Sequence, residues 1–453
     1  ISFVCCRKAC SHVSDRTTHH PPSTTHHPPM QSTGGGAEGG GHTTGTSTSC
    51  ASAIHATGNW TSAQLEKAFF PKGYKVSQLR LMAKLSNASS SSPLRIVVLG
   101  GSMTCGHDSQ CRWSNVLQDQ LRMTLAGVTV INLCRAATYS ATVLMDIEAV
   151  AKARPDIVIV DYIVNDGYPA LHNLDLHDAM ASVVTMLLQL PSRPAVVDLE
   201  TFSTFKSQPW SCHHDIDDYP HWPIVKDLNI PMVSYNSAVC NGNRHRDRND
   251  IWAASMLAHP PCSTHTKIAD LLHKFFLYML GQVRCQNPLF ESEQPITRFK
   301  VPLEYRCVLE PMTSLYTMHV LGVSKKMPKL VLEAQNSFPA SRYDNKTWHM
   351  YGDAKEKIGW IALPGRIGEI VFDVKTGSIG AVLLEYFTTY DNIGTATCWL
   401  DNDLKHKQLL DGKVLGQGSM SKISIFHSSS GGLHQLHCRS DGRKFKLYNV
   451  RSC

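Results

Sequence analysis

The sequence lacks the features of a membrane-spanning or nucleic-acid-binding chain. No stretch approaches about 18 consecutive apolar residues, so we expect no integral membrane segment. Lysine and arginine form no cluster of five or more, and 44 basic against 37 acidic residues leave a formal charge of only +7. This mild excess argues against nucleic acid as a partner. Charged residues make up only 18% and apolar residues 42%, which is the balance of a globular protein.

Cysteine is abundant, and its number bears on the compartment. The chain has 15 cysteines, an odd number that cannot be fully paired, and N-x-S/T sequons at Asn59, Asn87 and Asn345. Because cysteine-rich chains accompany oxidising compartments, we expect a secreted or cell-surface protein. The first residue is Ile1 instead of methionine, so we expect a fragment or a processed product.

The first 55 residues have little aliphatic content. The segment 17–29 repeats THHPP, and GGGAEGGG follows at 34–41. A segment this rich in proline and glycine cannot bury enough apolar surface to offset the entropy of ordering, so residues 1–55 are predicted to be a disordered low-complexity tail. Its two His-His pairs could bind a transition metal loosely, but a linker is the favoured interpretation.

Residues 56–290 alternate between two sequence patterns, short apolar runs and segments with helical periodicity. Short apolar runs without strict alternation predict strands that are buried on both faces of a parallel sheet: Arg95–Gly100, Val128–Leu133, Asp156–Tyr162, Pro194–Leu199 and Pro231–Tyr235. Helical periodicity separates and follows them at Trp113–Leu125, Thr142–Ala153, His177–Leu190, Pro220–Leu228 and Thr266–Leu280. This alternation predicts a three-layer α/β/α domain with its ligand site beyond the carboxyl ends of the strands.

Residues 297–453 predict a different domain. Their apolar runs are short, several alternate, and Gly, Asp, Asn and Ser interrupt them every 8–15 residues. The pattern predicts an antiparallel β-sandwich, with strand candidates at Lys329–Glu333, Glu369–Val374, Gly380–Phe387, Thr395–Leu400, Lys422–Phe426, Leu433–His437 and Phe445–Val450. Its aromatic residues are more often core than sugar platforms in such a domain: Trp348, Tyr351, Trp360, Tyr386, Tyr390 and Trp399.

Three polar segments follow strand candidates of the first domain. GGSMTCG (100–106) places Ser102 on a glycine-flanked turn before a helix, where its hydroxyl can act as a nucleophile. IVNDG (163–167) places Asn165 where its amide can donate to a developing oxyanion. LAHPPCSTH (257–265) places His259 where it can act as a base. A turn serine, a capping asparagine or a surface histidine would each be the ordinary interpretation of one segment alone.

The order Ser, Asn, His on this strand pattern resembles the SGNH hydrolases, also called GDSL-type esterases. GGS-Met-Thr (100–104) matches the first block except at Gly101, and Ile163-Val164-Asn165-Asp166 matches the third block without its glycine. INLCRAATYS (131–140) holds Ala136 or Ala137 where glycine is usual, and Met256-Leu257-Ala258-His259-Pro260 keeps the histidine of the last block but not its aspartate. The resemblance covers about 200 residues and implies a flavodoxin-like parallel sheet.

The resemblance also implies a mechanism without metal or cofactor. Ser102 would be the nucleophile and His259 its base, and the oxyanion hole would consist of the Ser102 N–H, a backbone N–H near Ala136 and the Asn165 amide. Asp166 would have a structural, hydrogen-bonding role. The expected substrate is an acylated carbohydrate or another small ester with a short, acetyl-like acyl group. The alternatives are an O-acyltransferase acting on glycans and a degenerate hydrolase that only binds glycans.

Further hypotheses concern residues near these blocks. Met256 occupies the position of the usual carboxylate, so His259 would be oriented by a backbone carbonyl within 249–258 or by Asp250, and His265 is the next candidate base. A cluster at His213, His214, Asp215 and His221 matches no familiar metal-ligand spacing, which favours a polar loop. Cys453 is predicted to form a disulfide with Cys398 or Cys438.

Overall fold

A computed structural model of the chain describes residues 59–70, 76–106, 110–166, 176–201, 219–240, 259–286, 314–316, 338–352, 358–414 and 419–453. The tail predicted for residues 1–55 and the strand candidate Lys329–Glu333 lie outside the described residues.

The first domain is built on a six-stranded sheet. Its strands are β1 (Phe69–Phe70), β2 (Leu94–Gly100), β3 (Val128–Asn132), β4 (Ile157–Asp161), β5 (Ala195–Glu200) and β6 (Met232–Ser234). Their order is β1-β6-β5-β4-β2-β3, and all pairs are parallel except β1 with β6. The chain therefore runs from β2 outward to β3 and then crosses to β4 on the other side. This reversal confirms the flavodoxin-like order and opens a crevice at the carboxyl end of β2.

The apolar runs are explained by cores on both faces of this sheet. Val97 and Leu99 point into one core, while Ile96 and Val98 of the same strand point into the other, and all four are at most 1% exposed. Successive side chains of a strand alternate between faces, so a strand covered on both sides must be apolar throughout. The expected three layers are confirmed.

Helices cover the two faces: α1 (Ser62–Ala68), α2 (Val76–Ser86), α3 (Ser102–Cys105), α4 (Trp113–Arg122), α5 (Val143–Ala153), α6 (Ile163–Asp166), α7 (Leu176–Gln189), α8 (Trp222–Asp227), α9 (Tyr235–Cys240) and α10 (Cys262–Gln286). The five helices expected from periodicity match α4, α5, α7, α8 and α10, with α10 extending past the periodic segment at both ends. The short helices α3 and α6 begin directly after β2 and β4, where the sequence predicts polar turns.

The second domain is an antiparallel β-sandwich, as expected. Its strands are β7 (Ser314–Tyr316), β8 (Arg342–Tyr343), β9 (Trp348–Gly352), β10 (Ile358–Ala362), β11 (Glu369–Thr376), β12 (Ala381–Thr389), β13 (Thr395–Leu400), β14 (Gln408–Asp411), β15 (Ser419–His427), β16 (Gly432–Ser440) and β17 (Phe445–Ser452). One sheet has the order β15-β12-β17-β10-β9, with β7 paired to β17, and the other has the order β14-β13-β16-β11-β8. The predicted boundary between 290 and 297 falls outside the described residues and stays a prediction.

The disulfide predicted for Cys453 is wrong. Cys398 on β13 and Cys438 on β16 are directly paired across the ladder and form a disulfide with each other, with their Cα atoms 4.2 Å apart. Cys453 is disulfide-bonded as well, so its partner is neither of them. Spacing along the chain could not reveal which two cysteines face each other across neighbouring strands.

Candidate functional site

Ser102 lies where the crevice opens. β2 ends at Gly100, and Ser102 is the first residue of α3. A Cβ on Gly100 would lie 1.8 Å from Thr104 Oγ1 and 2.9 Å from the Asp161 carbonyl oxygen, so only glycine fits this turn. The half-buried Ser102 makes no hydrogen bond through its hydroxyl or its N–H to any other described residue.

Thr104 fastens the serine turn to the neighbouring strand. Its hydroxyl donates to Asp161 Oδ2 at 2.7 Å, and the Thr201 hydroxyl donates to Asp161 Oδ1 at 3.0 Å. Burial raises the pKa of Asp161 to about 7, although both hydroxyl groups oppose the shift. A single carboxyl thus joins α3, the end of β4 and the end of β5.

Asn165 lies beside the serine turn. A Cβ on Gly101 would lie 2.7 Å from Asn165 Oδ1 and 2.8 Å from Nδ2, which places the amide directly against the residue before Ser102. Asn165 is 8% exposed, and its amide makes no hydrogen bond within the described residues. The next residue, Asp166, accepts a hydrogen bond from the Ser140 backbone N–H at 2.9 Å.

The third part of the site is the segment 134–140 after β3, which we call the donor loop. Its Arg135 N–H donates to the Gly100 carbonyl at 2.9 Å, and Cys134 forms a disulfide with Cys105 at the end of α3, with Cα atoms 5.4 Å apart. Ala137 has a φ of 63°, which is the left-handed conformation that favours glycine. Ala136 is exposed, and its N–H makes no hydrogen bond within the described part of the chain.

His259 comes shortly before α10. Pro260 and Pro261 follow it, and Cys262 at the start of α10 forms a disulfide with Cys111, with Cα atoms 5.2 Å apart. Ser102 makes no hydrogen bond to His259, so their pairing stays a prediction. Met256 and Asp250 lie outside the described residues. His265, the other candidate base, is only 1% exposed.

A buried histidine that the sequence did not single out for this role supports Asp166. His221 is 1% exposed; its Nε2 donates to Asp166 Oδ2 at 2.8 Å and its Nδ1 donates to Asp198 Oδ1 at 3.1 Å. Both ring nitrogens are donors only in the imidazolium form. Burial opposes this charge, but the two carboxylates outweigh burial and raise the pKa of His221 to about 10.

The sequence analysis did include His221, but it assigned this histidine to a polar loop and not to a buried contact with Asp166. His221 belongs to the histidine cluster interpreted as a polar loop, and its partners lie 55 and 23 residues away. His213, His214 and Asp215 lie outside the described residues. Within the described part of the chain, no group of three His, Cys, Asp or Glu residues could hold a metal ion.

A further carboxyl group with a shifted pKa lies one strand away. Burial raises the pKa of Glu200 at the end of β5 to about 8, while a hydrogen bond from the Ser234 hydroxyl opposes the shift. Together with Asp161 and His221 it concentrates shifted pKa values near the carboxyl ends of β4, β5 and β6. Such a concentration is typical of functional sites.

Three of the six aromatic residues singled out in the sandwich belong to its core, and Tyr351 and Trp399 are half-buried. Trp348, Trp360 and Tyr386 are at most 7% exposed and lie in the sandwich core cluster. Tyr390 is 51% exposed and lines a depression of about 550 Å³ together with Lys413 and Arg443. Aromatic content alone therefore does not define a sugar-binding face here.

The described elements form a flavodoxin-like α/β domain followed by a β-sandwich, and the serine turn, Asn165 and the donor loop lie together at the carboxyl end of β2. No protein-family model matches the chain, and no curated protein matches it significantly. Among solved structures, it is similar to a two-domain esterase (CEX) active on acetylated mannans, with a TM-score of 0.56 and 17% identity over 86% of this chain and 98% of that one.

The same esterase co-crystallised with mannopentaose gives a TM-score of 0.55 and 18% identity over 86% of this chain and 97% of that chain. The psychrotrophic esterase EstA from Pseudoalteromonas sp. matches 39% of this chain and 93% of its own, with 15% identity and a TM-score of 0.29. At these identities the two-domain esterase confirms the expected fold, including the succession of an α/β domain and a sandwich.

None of the described helices is long and apolar enough to cross a membrane.

Proposed function

We propose that this chain is a serine esterase that removes short acyl groups, acetyl in particular, from carbohydrate. The observation that carries the proposal is a set of three donors without partners in the serine turn and in the two segments that contact it. These are the N–H groups of Ser102 and Ala136 and the amide of Asn165, none of which has a hydrogen-bond partner among the described residues. Unpaired donors grouped beside a nucleophile are what an oxyanion requires.

The reaction would proceed through an acyl-enzyme. His259 takes the proton of the Ser102 hydroxyl while Oγ attacks the acyl carbon, and the three donors stabilise the tetrahedral oxyanion. The carbon–oxygen bond to the sugar then breaks, and the sugar oxygen receives the proton from His259. Water attacks the acyl-enzyme with His259 again as the base, which releases the acid and restores the Ser102 hydroxyl.

The orientation of His259 requires a partner for its second ring nitrogen. A backbone carbonyl within 249–258 is favoured over Asp250, because nine residues is an awkward reach for that carboxylate. Under this proposal Asp250→Asn leaves turnover within a few-fold, while His259→Ala abolishes it. If both changes are equally damaging, a relocated triad replaces the dyad. If neither change matters, His259 is not the base.

The proposed substrate class rests on the structural similarity to the two-domain esterase. The similar two-domain protein is an esterase active on acetylated mannans, and this chain shares its fold along 86% of its length. Acetylated polysaccharide is therefore the first substrate class to test. An extracellular setting fits such a substrate. It also agrees with the disulfides between Cys105 and Cys134, Cys111 and Cys262, and Cys398 and Cys438.

The decisive experiment is an ester panel on the full chain. Nitrophenyl acetate, acetylated mannan and acetylated xylan are offered to the wild type and to Ser102→Ala, with the exposed Ser91→Ala as a matched control. We expect release of acetate by the wild type and the control, and none by Ser102→Ala. Asn165→Ala should lower kcat by about 10²–10³-fold, the usual loss for one oxyanion donor.

The alternatives give different results in the same panel. Acetyl transfer that requires a sugar acceptor would identify an O-acyltransferase. Glycan binding by a wild type without turnover on any ester would identify a degenerate, binding-only protein and would contradict the proposal.

A further inference from the structure

The sandwich contacts the donor loop through a partly buried ion pair. Arg135 Nη1 and Nη2 donate to Glu385 Oε2 and Oε1 of β12 at 2.9 and 2.7 Å. Asp146 lies on the other side of the guanidinium, with Oδ2 3.6 Å from Nε. Burial would lower the pKa of Arg135, but Asp146 and Glu385 outweigh it and raise the pKa. Arg135 is therefore permanently charged and held between the two domains.

The edge of the sandwich also binds the donor loop through its backbone. β15 is the edge strand of its sheet, so alternate N–H groups point away from the ladder. The Ser421 N–H donates to the Ala137 carbonyl at 2.8 Å, and the Ile423 N–H donates to the Tyr139 hydroxyl at 3.3 Å. The loop thus covers a strand edge that would otherwise be unpaired.

Polar side chains of the sandwich are buried where it faces the first domain. Glu385, Asn449 and Arg451 are at most 1% exposed, and Asn449 donates to Glu385 while Arg451 donates to the Leu144 carbonyl of α5. Leu383 on β12 lies in the same hydrophobic cluster as the first domain's core. The two charged groups among them are buried with partners across the boundary, Glu385 with Arg135 and Arg451 with the Leu144 carbonyl.

The loop conformation needs external support. Ala137 is in the left-handed region, which is unfavourable for a residue with a Cβ and persists only where the surroundings fix it. Its carbonyl is held by β15, and the side chain two residues earlier is held by β12. Both contacts flank Ala136, the residue whose N–H would donate to the oxyanion under the proposed function.

We propose that the β-sandwich is a positioning part of the catalytic site, because Glu385 and the Ser421 N–H hold the donor loop in its oxyanion-binding conformation. The inference rests on the proposed esterase function. Neither residue touches the substrate; both act through Arg135 and Ala137. The sandwich would therefore be required for turnover whether or not it binds polysaccharide.

Two variants of the full chain test the inference, each with a matched control. Glu385→Gln removes the charge that holds Arg135, and Glu369→Gln makes the same change on the other sheet. Ser421→Pro removes the N–H donated to Ala137 at a strand edge, where proline is tolerated. Ser419→Pro is its control at the first residue of the same strand. The Ser419 N–H makes no hydrogen bond to any described residue of the first domain.

We expect kcat on nitrophenyl acetate to fall by about tenfold or more in both test variants, with KM within about threefold, because the donor acts mainly in the transition state. Both controls should retain kcat. Circular dichroism and the thermal midpoint identify any variant that fails to fold, and the other variant then decides. Folded test variants with kcat within twofold of the wild type would overturn the inference. A wild type without turnover would instead overturn the proposed function.

Discussion

Gly101 and Asn165 are in direct contact, so the residue before Ser102 shapes the position of the amide that would stabilise the oxyanion. A Cβ at Gly101 would lie within 2.9 Å of three side-chain atoms of Asn165. Real Cβ atoms do not approach this closely, so a larger residue would displace the amide. This relationship gives a physical reason for glycine at position 101.

The first prediction follows from that contact. Gly101→Ala should lower kcat by about 10-fold or more with little change in KM, because it displaces an oxyanion donor. On an Asn165→Ala background the same change should have almost no further effect, since the displaced group is already absent. Steady-state kinetics of the four proteins measure this coupling, and additive losses in the double variant would contradict it.

A second prediction concerns His221. His221→Gln leaves Asp166 and Asp198 buried without their cation, so it should lower the free energy of unfolding by about 3–5 kcal/mol. Urea denaturation measures the loss. His406→Gln, a histidine on the surface of the sandwich, is the matched control and should leave the midpoint unchanged. A loss as small as that of the control would show that the contacts of His221 with Asp166 and Asp198 do not stabilise the fold.

The pH dependence of stability tests the charge on His221. Its pKa is raised from 6.5 to about 10 in the folded state, so the folded protein binds more protons than the unfolded chain between these values. The contribution is complete below pH 6.5 and is lost as the pH rises towards 10. Urea midpoints should fall across this window in the wild type and change less in His221→Gln. Equal slopes would show that the ring is neutral when buried.

A separate pH prediction concerns Asp161. Burial raises its pKa from 3.8 to about 7, so in this window the folded protein keeps a proton that the unfolded chain has lost. Stability should therefore decrease as the pH rises from 3.8 to 7, by at most about 1.4 kcal/mol per pH unit. Asp161→Asn should flatten this slope in urea titrations. An equal slope in the wild type and in Asp161→Asn would show that this carboxyl group is already ionised in the folded protein across this window.

The last prediction compares two disulfides. Removing the bridge between Cys111 and Cys262 by serine substitution should lower kcat, because it frees the segment that carries His259. The matched control removes the bridge between Cys398 and Cys438 in the sandwich. This change should lower the thermal midpoint, but kcat measured at temperatures below that midpoint should stay unchanged. The bridges span 151 and 40 residues, so the chain-entropy model makes the longer one more stabilising by about 1 kcal/mol. Unchanged kcat in the first variant would contradict the prediction.

The sequence by itself determined the local elements and their order. The apolar runs that became β2 to β6 needed burial on both faces, and a parallel sheet covered by helices on both sides provides it. The placement of Ser102 and Asn165 at one edge of the sheet follows in the same way, because polar residues directly after parallel strands lie at the carboxyl ends of those strands. These inferences use spacing within about ten residues, where physical constraints are strong.

The tertiary structure alone decided the contacts between distant segments. Arg135 and Glu385 are 250 residues apart, and His221 and Asp166 are 55 apart. The local sequence around one residue of each pair does not predict its partner. The left-handed φ of Ala137, whose carbonyl accepts from Ser421 of the other domain, could not be predicted from the sequence either, and the choice between Ala136 and Ala137 stays a prediction. Buried charges become stable only when the fold brings a partner within hydrogen-bond distance, so their roles exist only in three dimensions.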